Sequence, residues 1–272
     1  MRVASAQPRE PGGEARHRPL PRAAGAEHVL AYGDYEPETL AGCLDAQGWM
    51  LITGVPCWAG NPALLDLAAS LGPIKKHGPN LRDPVREGEA VNLIRALPEP
   101  IADRSGKTML STLAIDHHMH TDESFYATPS RYVLLHCWRP DPAGGGLCLM
   151  AAVDDVLARV NAEERKDCAR IRYSWRGVEA PIITAMPDGP APRVRFNVRE
   201  ANCLEQDPAA GNALAQRFAH AAEAAALALP LAAGDCLVLD NWRVLHGRTS
   251  FAPDSPRLLK RVGVEASLPS AA

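Results

Sequence analysis

A chain of 272 residues has room for one large β-rich domain or two small ones, and it is long enough to bury a sizeable core. A net charge of −3 and a pI near 6.3 lack the basic excess of a nucleic-acid binder. No apolar run is long enough to span a bilayer, no signal-peptide core opens the sequence, and the 7 scattered cysteines form no CxxC pair, which together lead to the expectation of a cytoplasmic protein with reduced thiols and no membrane partner.

Residues 1–26 are rich in Arg, Pro, Gly and Ala without apolar periodicity, so they are expected to form a disordered tail ahead of a single domain over 27–268. Glu10 and Glu14 count against a transit peptide. The segment 37–47 reads as a helix stopped by Gly48, followed by a buried strand over Trp49–Val55. A second helix over 62–71 has Pro62 in its first turn and Gly72 at its end. From 73 to 111 the pattern is mostly loop, with a short strand near Val91–Ile94. Residues 97–108 (LPEPIADRSGKT) are polar and punctuated by Pro and Gly, as either a substrate lid or an ordinary surface loop would be.

A strand is expected through 112–122. The run Tyr132–Trp138 is apolar and β-prone, a central strand in which His136 reads as a core histidine. Gly144–Gly146 make a turn before Leu147–Met150. One or two helices follow over 153–169, then an alternating strand over Arg193–Val198 and an Ala-rich helix over 207–228 in which His220 is incidental. The chain closes with a strand at Asp235–Leu239, a turn at Asp240–Asn241, His246, a last strand over 257–265 and a frayed SLPSAA tail. No internal repeat is visible.

The chemistry gathers at His120-Thr121-Asp122. Side chains at i and i+2 of a strand share a face, so this imidazole and carboxylate can meet one metal while Thr121 points away. His246, just after the apolar strand within LAAGDCLVLDNWRVLHGRTSF, is the candidate third ligand. Two His and one carboxylate form the facial triad of non-haem Fe(II) oxygenases. A lone His-X-Asp is far more often a polar pair on a surface strand, so the weight rests on its surroundings. His118 has the parity of His120 and points towards the same pocket. It and His117 are read as supporting, substrate-facing or structural groups, because a fourth ligand would close the open face of the metal. Glu123, Tyr126 and Asn92 are candidate substrate contacts, against the plainer reading of ordinary polar residues.

Four segments carry a family resemblance: HTDESF (120–125), PSRYVLLHCWRPDPAGGG (129–146), GDCLVLDNWRVLHGRTSF (234–251) and RLLKRVGVE (257–265), with echoes in GWMLITGVP (48–56) and LAASLGPI (67–74). In this order they resemble the TauD/TfdA-type Fe(II)/2-oxoglutarate-dependent dioxygenases, over roughly the C-terminal three-fifths of the chain. The resemblance implies a mainly β fold with helices, the double-stranded β-helix or jelly roll. It makes His120, Asp122 and His246 the iron ligands. Arg257, the first of two arginines four apart, would hold the distal carboxylate of 2-oxoglutarate, for which a planar guanidinium fork is suited. Arg261 would meet an acidic group on the substrate, unless it is a plain surface charge.

One departure stands out. Family members often carry a Thr just after the Gly-Gly turn as a co-substrate contact, and the expected position falls on Leu147. One lost neutral hydrogen bond costs only about 0.5–1.5 kcal/mol, and Thr249 could assist instead.

The implied activity is oxidation of a small carboxylate, amino acid or natural-product intermediate with Fe(II), 2-oxoglutarate and O2, releasing succinate and CO2. Hydroxylation ranks above halogenation because Asp122 leaves no ligand site vacant for a halide. Desaturation and ring formation remain open, and the resemblance allows self-association. The alternatives are a metal-dependent hydrolase or isomerase on the same scaffold, since zinc accepts these ligands too, and a non-catalytic relic that only binds.

Overall fold

The structure, a computed structural model, describes residues 18–19, 28–57, 60–77, 84–103, 105–186 and 192–266. Two β-sheets face each other. The larger has the strand order Val29–Ala31, Trp49–Thr53, Cys236–Asp240, Tyr132–Arg139, Leu258–Val264, Val91–Ile94, Arg86–Glu87. The smaller runs Arg18–Pro19, Leu227–Leu229, Cys148–Ala152, Val244–Arg248, His117–His120. This is the expected double-stranded β-helix, mostly β with helices.

Three apolar layers explain why the central strands read as unbroken apolar runs rather than alternating ones. Val133, Leu135, Leu237 and Leu259 of the larger sheet meet Cys148, Met150 and Val244 of the smaller one between the sheets. The opposite faces of the same strands, including Leu134, Val238 and Val262, pack against Leu40, Leu44, Leu64 and Leu67 of the helices Pro37–Gln47 and Pro62–Ala69. Behind the smaller sheet, Leu149, Ala151 and Leu245 pack against Tyr173, Trp175, Phe196 and Phe218, the last on the long helix Pro208–Ala225.

Local signals place most elements. The first helix ends where Gly48 takes the left-handed conformation (φ 82°) and returns its N–H to Leu44 O at 2.8 Å. The 153–169 segment divides into Val153–Leu157 and Ala162–Arg170, and the second opens with a reciprocal capping box between Asn161 and Glu164.

Several expectations are corrected. The strand expected through 112–122 is shorter, a 3-10 turn at Leu110–Thr112 followed by His117–His120. The Ala-rich helix stops at Ala225, because Leu227–Leu229 pairs with Cys148–Met150 at the edge of the smaller sheet. Of the Arg193–Val198 strand only Arg193–Val194 lies in a ladder. The small sheet Val178–Pro181, Arg172–Trp175, Ala201–Cys203 was not foreseen. His246 follows the apolar strand Cys236–Asp240, as expected, but sits inside a further strand, Val244–Arg248, because the intervening turn carries the chain from the larger sheet to the smaller. The expected tails lie outside the described residues, except Arg18–Pro19, which pair in parallel with Leu227–Ala228. Among the described residues no helix is long and apolar enough to cross a membrane.

Candidate metal centre

His120 ends its strand, and its cross-strand partner is His246. Asp122 follows two residues later. The Nε2 atom of His120 lies 3.6 Å from Asp122 Oδ1, and Nε2 of His246 lies 3.8 Å from Asp122 Oδ2. All three residues are buried, and their donor atoms fall within 4.8 Å of one another. His120 Nδ1 is 2.9 Å from His118 O, which turns Nε2 inward. The Asp122 backbone is fixed by Asn241, whose Oδ1 accepts the Asp122 N–H at 2.7 Å and whose Nδ2 donates to Asp122 O at 3.1 Å and Ser130 O at 3.0 Å. Thr121 points away as expected, its hydroxyl accepting the Phe196 N–H at 3.0 Å.

The charge states suit metal ligation. Burial, reinforced by the charge on His120, pushes His246 down to about 3, so its imidazole is neutral and free to coordinate near pH 7. Burial alone would raise the Asp122 carboxyl, but Arg261 and the two histidines carry it well below the usual carboxylate range. Two imidazole nitrogens and one carboxylate on the wall of a cavity match the donor set of Fe(II) sites that keep an open face.

The same cavity is lined by Arg257, Arg261 and Asn92. Arg257 is 3% exposed. Its Nη2 donates to Gly146 O at 2.9 Å, while its Nη1 is buried without a partner. Gly146 is required there: its φ is +66°, and a Cβ would strike Nε and Cδ of Arg257. An orphaned guanidinium nitrogen of this kind calls for an anion. Arg261 Nη1 reaches Asp122 Oδ2 at 2.8 Å. The spacing of four therefore brings both arginines to one side, as expected.

Other candidates fall elsewhere. Asn92 faces the cavity and donates to His77 Nε2 at 2.8 Å. Thr249 accepts the Leu147 N–H at 2.9 Å and supports that turn rather than lining the cavity. Leu147 packs with the outer core, and the residue of this segment that faces the cavity is Cys148, one place further on. Glu123, in the left-handed region at φ 60°, turns away from the cavity. Its Oε2 accepts from Lys75 Nζ at 2.7 Å, Ser130 N at 2.8 Å and Ser130 Oγ at 2.9 Å. Tyr126 is exposed, with Lys75 Nζ 4.6 Å from its ring centroid. His136 is a buried core residue, as expected, 3.2 Å from Val55 O.

His118 does not line the cavity, and His117 does, stacked on His120 at 4.1 Å. The alternation rule fails because the ladder is bulged. His246 pairs with His120, but two residues on, Arg248 pairs with His117, three residues back. A bulge shifts the facing of everything beyond it. Arg248 itself, which the sequence did not single out, also lines the cavity. Burial and the charge of Arg257 pull its guanidinium down to about 10.

The 97–108 segment is tied down by charge. Arg176 meets Glu200 through two contacts of 2.7 Å and Asp103 at 2.6 Å, and Lys107 reaches Glu200 at 2.9 Å. Met109 and Ser111, directly after it, line the cavity.

Comparison with known proteins follows the same lines. A family model described as "Taurine catabolism dioxygenase TauD, TfdA family" matches residues 16–262. The L-asparagine oxygenase of Streptomyces coelicolor is 26% identical over 205 residues, covering 71% of this chain and 57% of that protein. Clavaminate synthase 2 of Streptomyces clavuligerus is 30% identical over 146 residues, covering 49% and 44%. The chain thus spans about half the length of these curated relatives. Among solved structures, an asparagine oxygenase in complex with Fe(II), 2S,3S-3-hydroxyasparagine and succinate shares the fold, with a TM-score of 0.68, 20% identity, and 84% of this chain and 78% of that one covered.

Proposed function

The chain belongs to the TauD, TfdA family of dioxygenases, and from that membership we propose that it is a non-haem iron oxygenase that uses 2-oxoglutarate and O2 to oxidise a small molecule. The most direct outcome is hydroxylation of an unactivated C–H bond in a small carboxylate, amino acid or natural-product intermediate, with release of succinate and CO2. One observation carries the reading: the donors of His120, Asp122 and His246 converge on a cavity into whose wall Arg257 is built with an unpartnered Nη1.

His120, Asp122 and His246 would hold the iron, which when bound would supply the oxidation by O2 coupled to decarboxylation of the co-substrate. The bond from His120 Nδ1 to His118 O and the Asn241 clamp on Asp122 orient two of the ligands. Arg257 takes the distal carboxylate of 2-oxoglutarate, while its bond to Gly146 O keeps the fork from swinging away. Thr249 supports that end through the Leu147 N–H. Arg261, beside Asp122, offers its remaining donors to an acidic group of the substrate, and Asn92 offers an amide. Leu135, Leu259 and Met109 keep the cavity wall apolar and limit water around the reacting carbon.

The relatives' names speak of asparagine and of clavaminate synthesis, which favours an amino acid or another small carboxylate. The catalytic unit is the single domain over 27–268. It acts in the cytoplasm, in keeping with 7 unpaired cysteines. A hydrolase or isomerase would use the same three ligands but leaves the Arg257 nitrogen without a purpose.

The test is release of labelled CO2 from 1-labelled 2-oxoglutarate with Fe(II), ascorbate and air. The expected result is CO2 and succinate in equal amounts, lost in His120→Ala. Turnover of a hydrolysable substrate with Zn(II) and no CO2 would move the hydrolase reading ahead.

A further inference from the structure

We propose that Arg248 is a second anchor for the distal carboxylate of the co-substrate, closing on it together with Arg257. The proposal rests on the oxygenase reading above and adds a binding residue to it.

Arg248 ends the strand that carries His246, two residues on, and so shares its face. It lines the cavity that holds the three candidate ligands and Arg257, and its cross-strand partner Cys148 lines that cavity as well. Its guanidinium is positioned but not neutralised. Nη2 donates to Leu113 O and to Ile115 O, each at 2.8 Å, and Nε is buried without a partner. Arg257 repeats the pattern, with one nitrogen on the carbonyl of Gly146 and Nη1 buried and unpartnered. Both guanidiniums lie over one aromatic ring, 4.8 Å and 5.1 Å from the centroid of Phe251.

Arg248 is 5% exposed and Arg257 3%. Among the described residues no carboxylate lies within 4.0 Å of either guanidinium, although Asp116 acts on Arg248 and Asp141 on Arg257 from further away. Burying one unpaired cation is costly, and burying two beside one another is more so. Backbone carbonyls hold these side chains in place but carry only partial charge. A carboxylate entering between them offsets both charges, and its two oxygens have lone pairs enough for two guanidinium forks. Cys148, which also lines the cavity, is a buried thiol and a weak donor beside the two guanidiniums.

The plainer role for Arg248 is to hold the Leu113–Ile115 segment through its two carbonyl contacts, and the test separates the two. Anaerobic, Fe(II)-loaded wild type, Arg248→Met and Arg248→Lys are titrated calorimetrically with 2-oxoglutarate and with 2-oxobutyrate, which keeps the 2-oxo acid end but has no distal carboxylate. If Arg248 binds that carboxylate, the Met variant loses affinity for 2-oxoglutarate by about tenfold or more, the Lys variant loses less, and 2-oxobutyrate is bound as by wild type. Equal weakening of both acids, or of neither, overturns the assignment. A wild type that binds neither acid fails the oxygenase reading itself, and the assignment falls with it. Should the variants not fold, the wild-type structure with 2-oxoglutarate decides. An Arg248 nitrogen within about 3.2 Å of a distal carboxylate oxygen supports the proposal, and one beyond about 4 Å overturns it.

Discussion

Arg261 Nη1 lies 2.8 Å from Asp122 Oδ2, so the carboxylate that completes the candidate metal site is also held by a guanidinium. Removing the arginine would leave a buried carboxylate without its cation, and breaking a buried pair costs about 3–5 kcal/mol. Because Arg261 keeps 23% of its side chain exposed, the expectation for Arg261→Leu lies at the lower end of that range. A divalent ion supplies the missing charge, so Co(II) should raise the Tm of the variant more than that of wild type. Equal Tm values without metal, or equal shifts with it, would show that the pair does not hold Asp122.

Gly146 lets Arg257 cross its backbone. In Gly146→Ala the new Cβ meets Nε and Cδ of Arg257, and the left-handed φ of +66° adds about 1 kcal/mol of backbone strain. The expected result is a KM for 2-oxoglutarate raised about tenfold or more, with metal affinity close to wild type. An unchanged KM would mean that Arg257 does not meet the co-substrate from this position.

Arg176 joins Asp103 and Glu200 in one cluster beside the 97–108 segment. Arg176→Ala removes three charge-assisted contacts at once. Faster amide exchange over 97–112 and a raised KM for the prime substrate are expected, with 2-oxoglutarate affinity unchanged. Unaltered exchange there would show that the segment is held by its backbone alone.

Asp240 is 1% exposed, and burial raises its carboxyl from 3.8 to about 6 against the opposing pull of Arg131, whose Nε is 3.7 Å away. A carboxyl raised on folding contributes no penalty while protonated in both states, and it lowers stability as pH rises from 3.8 through about 6. Asp240→Asn mimics the protonated form. The variant should match wild type near pH 4 and exceed it above pH 7 by about 3 kcal/mol. A variant less stable than wild type at pH 7.5 would mean that the ion pair with Arg131 outweighs burial.

The candidate ligands were legible because His120 and Asp122 stand two residues apart where a strand ends and His246 sits in a motif with its own landmarks. The helix at 37–47 announced itself through Gly48 at its end and the second through Pro62 at its start, although it stops at Ala69, short of the expected 71. What stayed hidden depends on long-range pairing. A bulge between two distant strands exchanges His118 for His117 at the cavity. Asn241 grips Asp122 from 119 positions away, where the sequence offered only a turn residue. Arg248 carries no signal in the sequence and is placed at the cavity only by its strand partners. Glu123 sits beside the ligand motif, yet its carboxylate is taken up by Lys75 and Ser130. The 172–203 sheet escaped notice because its strands are 3 or 4 residues long and partly polar.

The most direct single measurement is anaerobic addition of 2-oxoglutarate to the Fe(II)-loaded protein, read from the weak visible metal-to-ligand charge-transfer band. The band is expected in wild type, absent in His120→Ala, and shifted to higher co-substrate concentration in Arg257→Ala. A folded, iron-loaded wild type that gives no band would contradict the central claim that these three ligands and Arg257 form one co-substrate site.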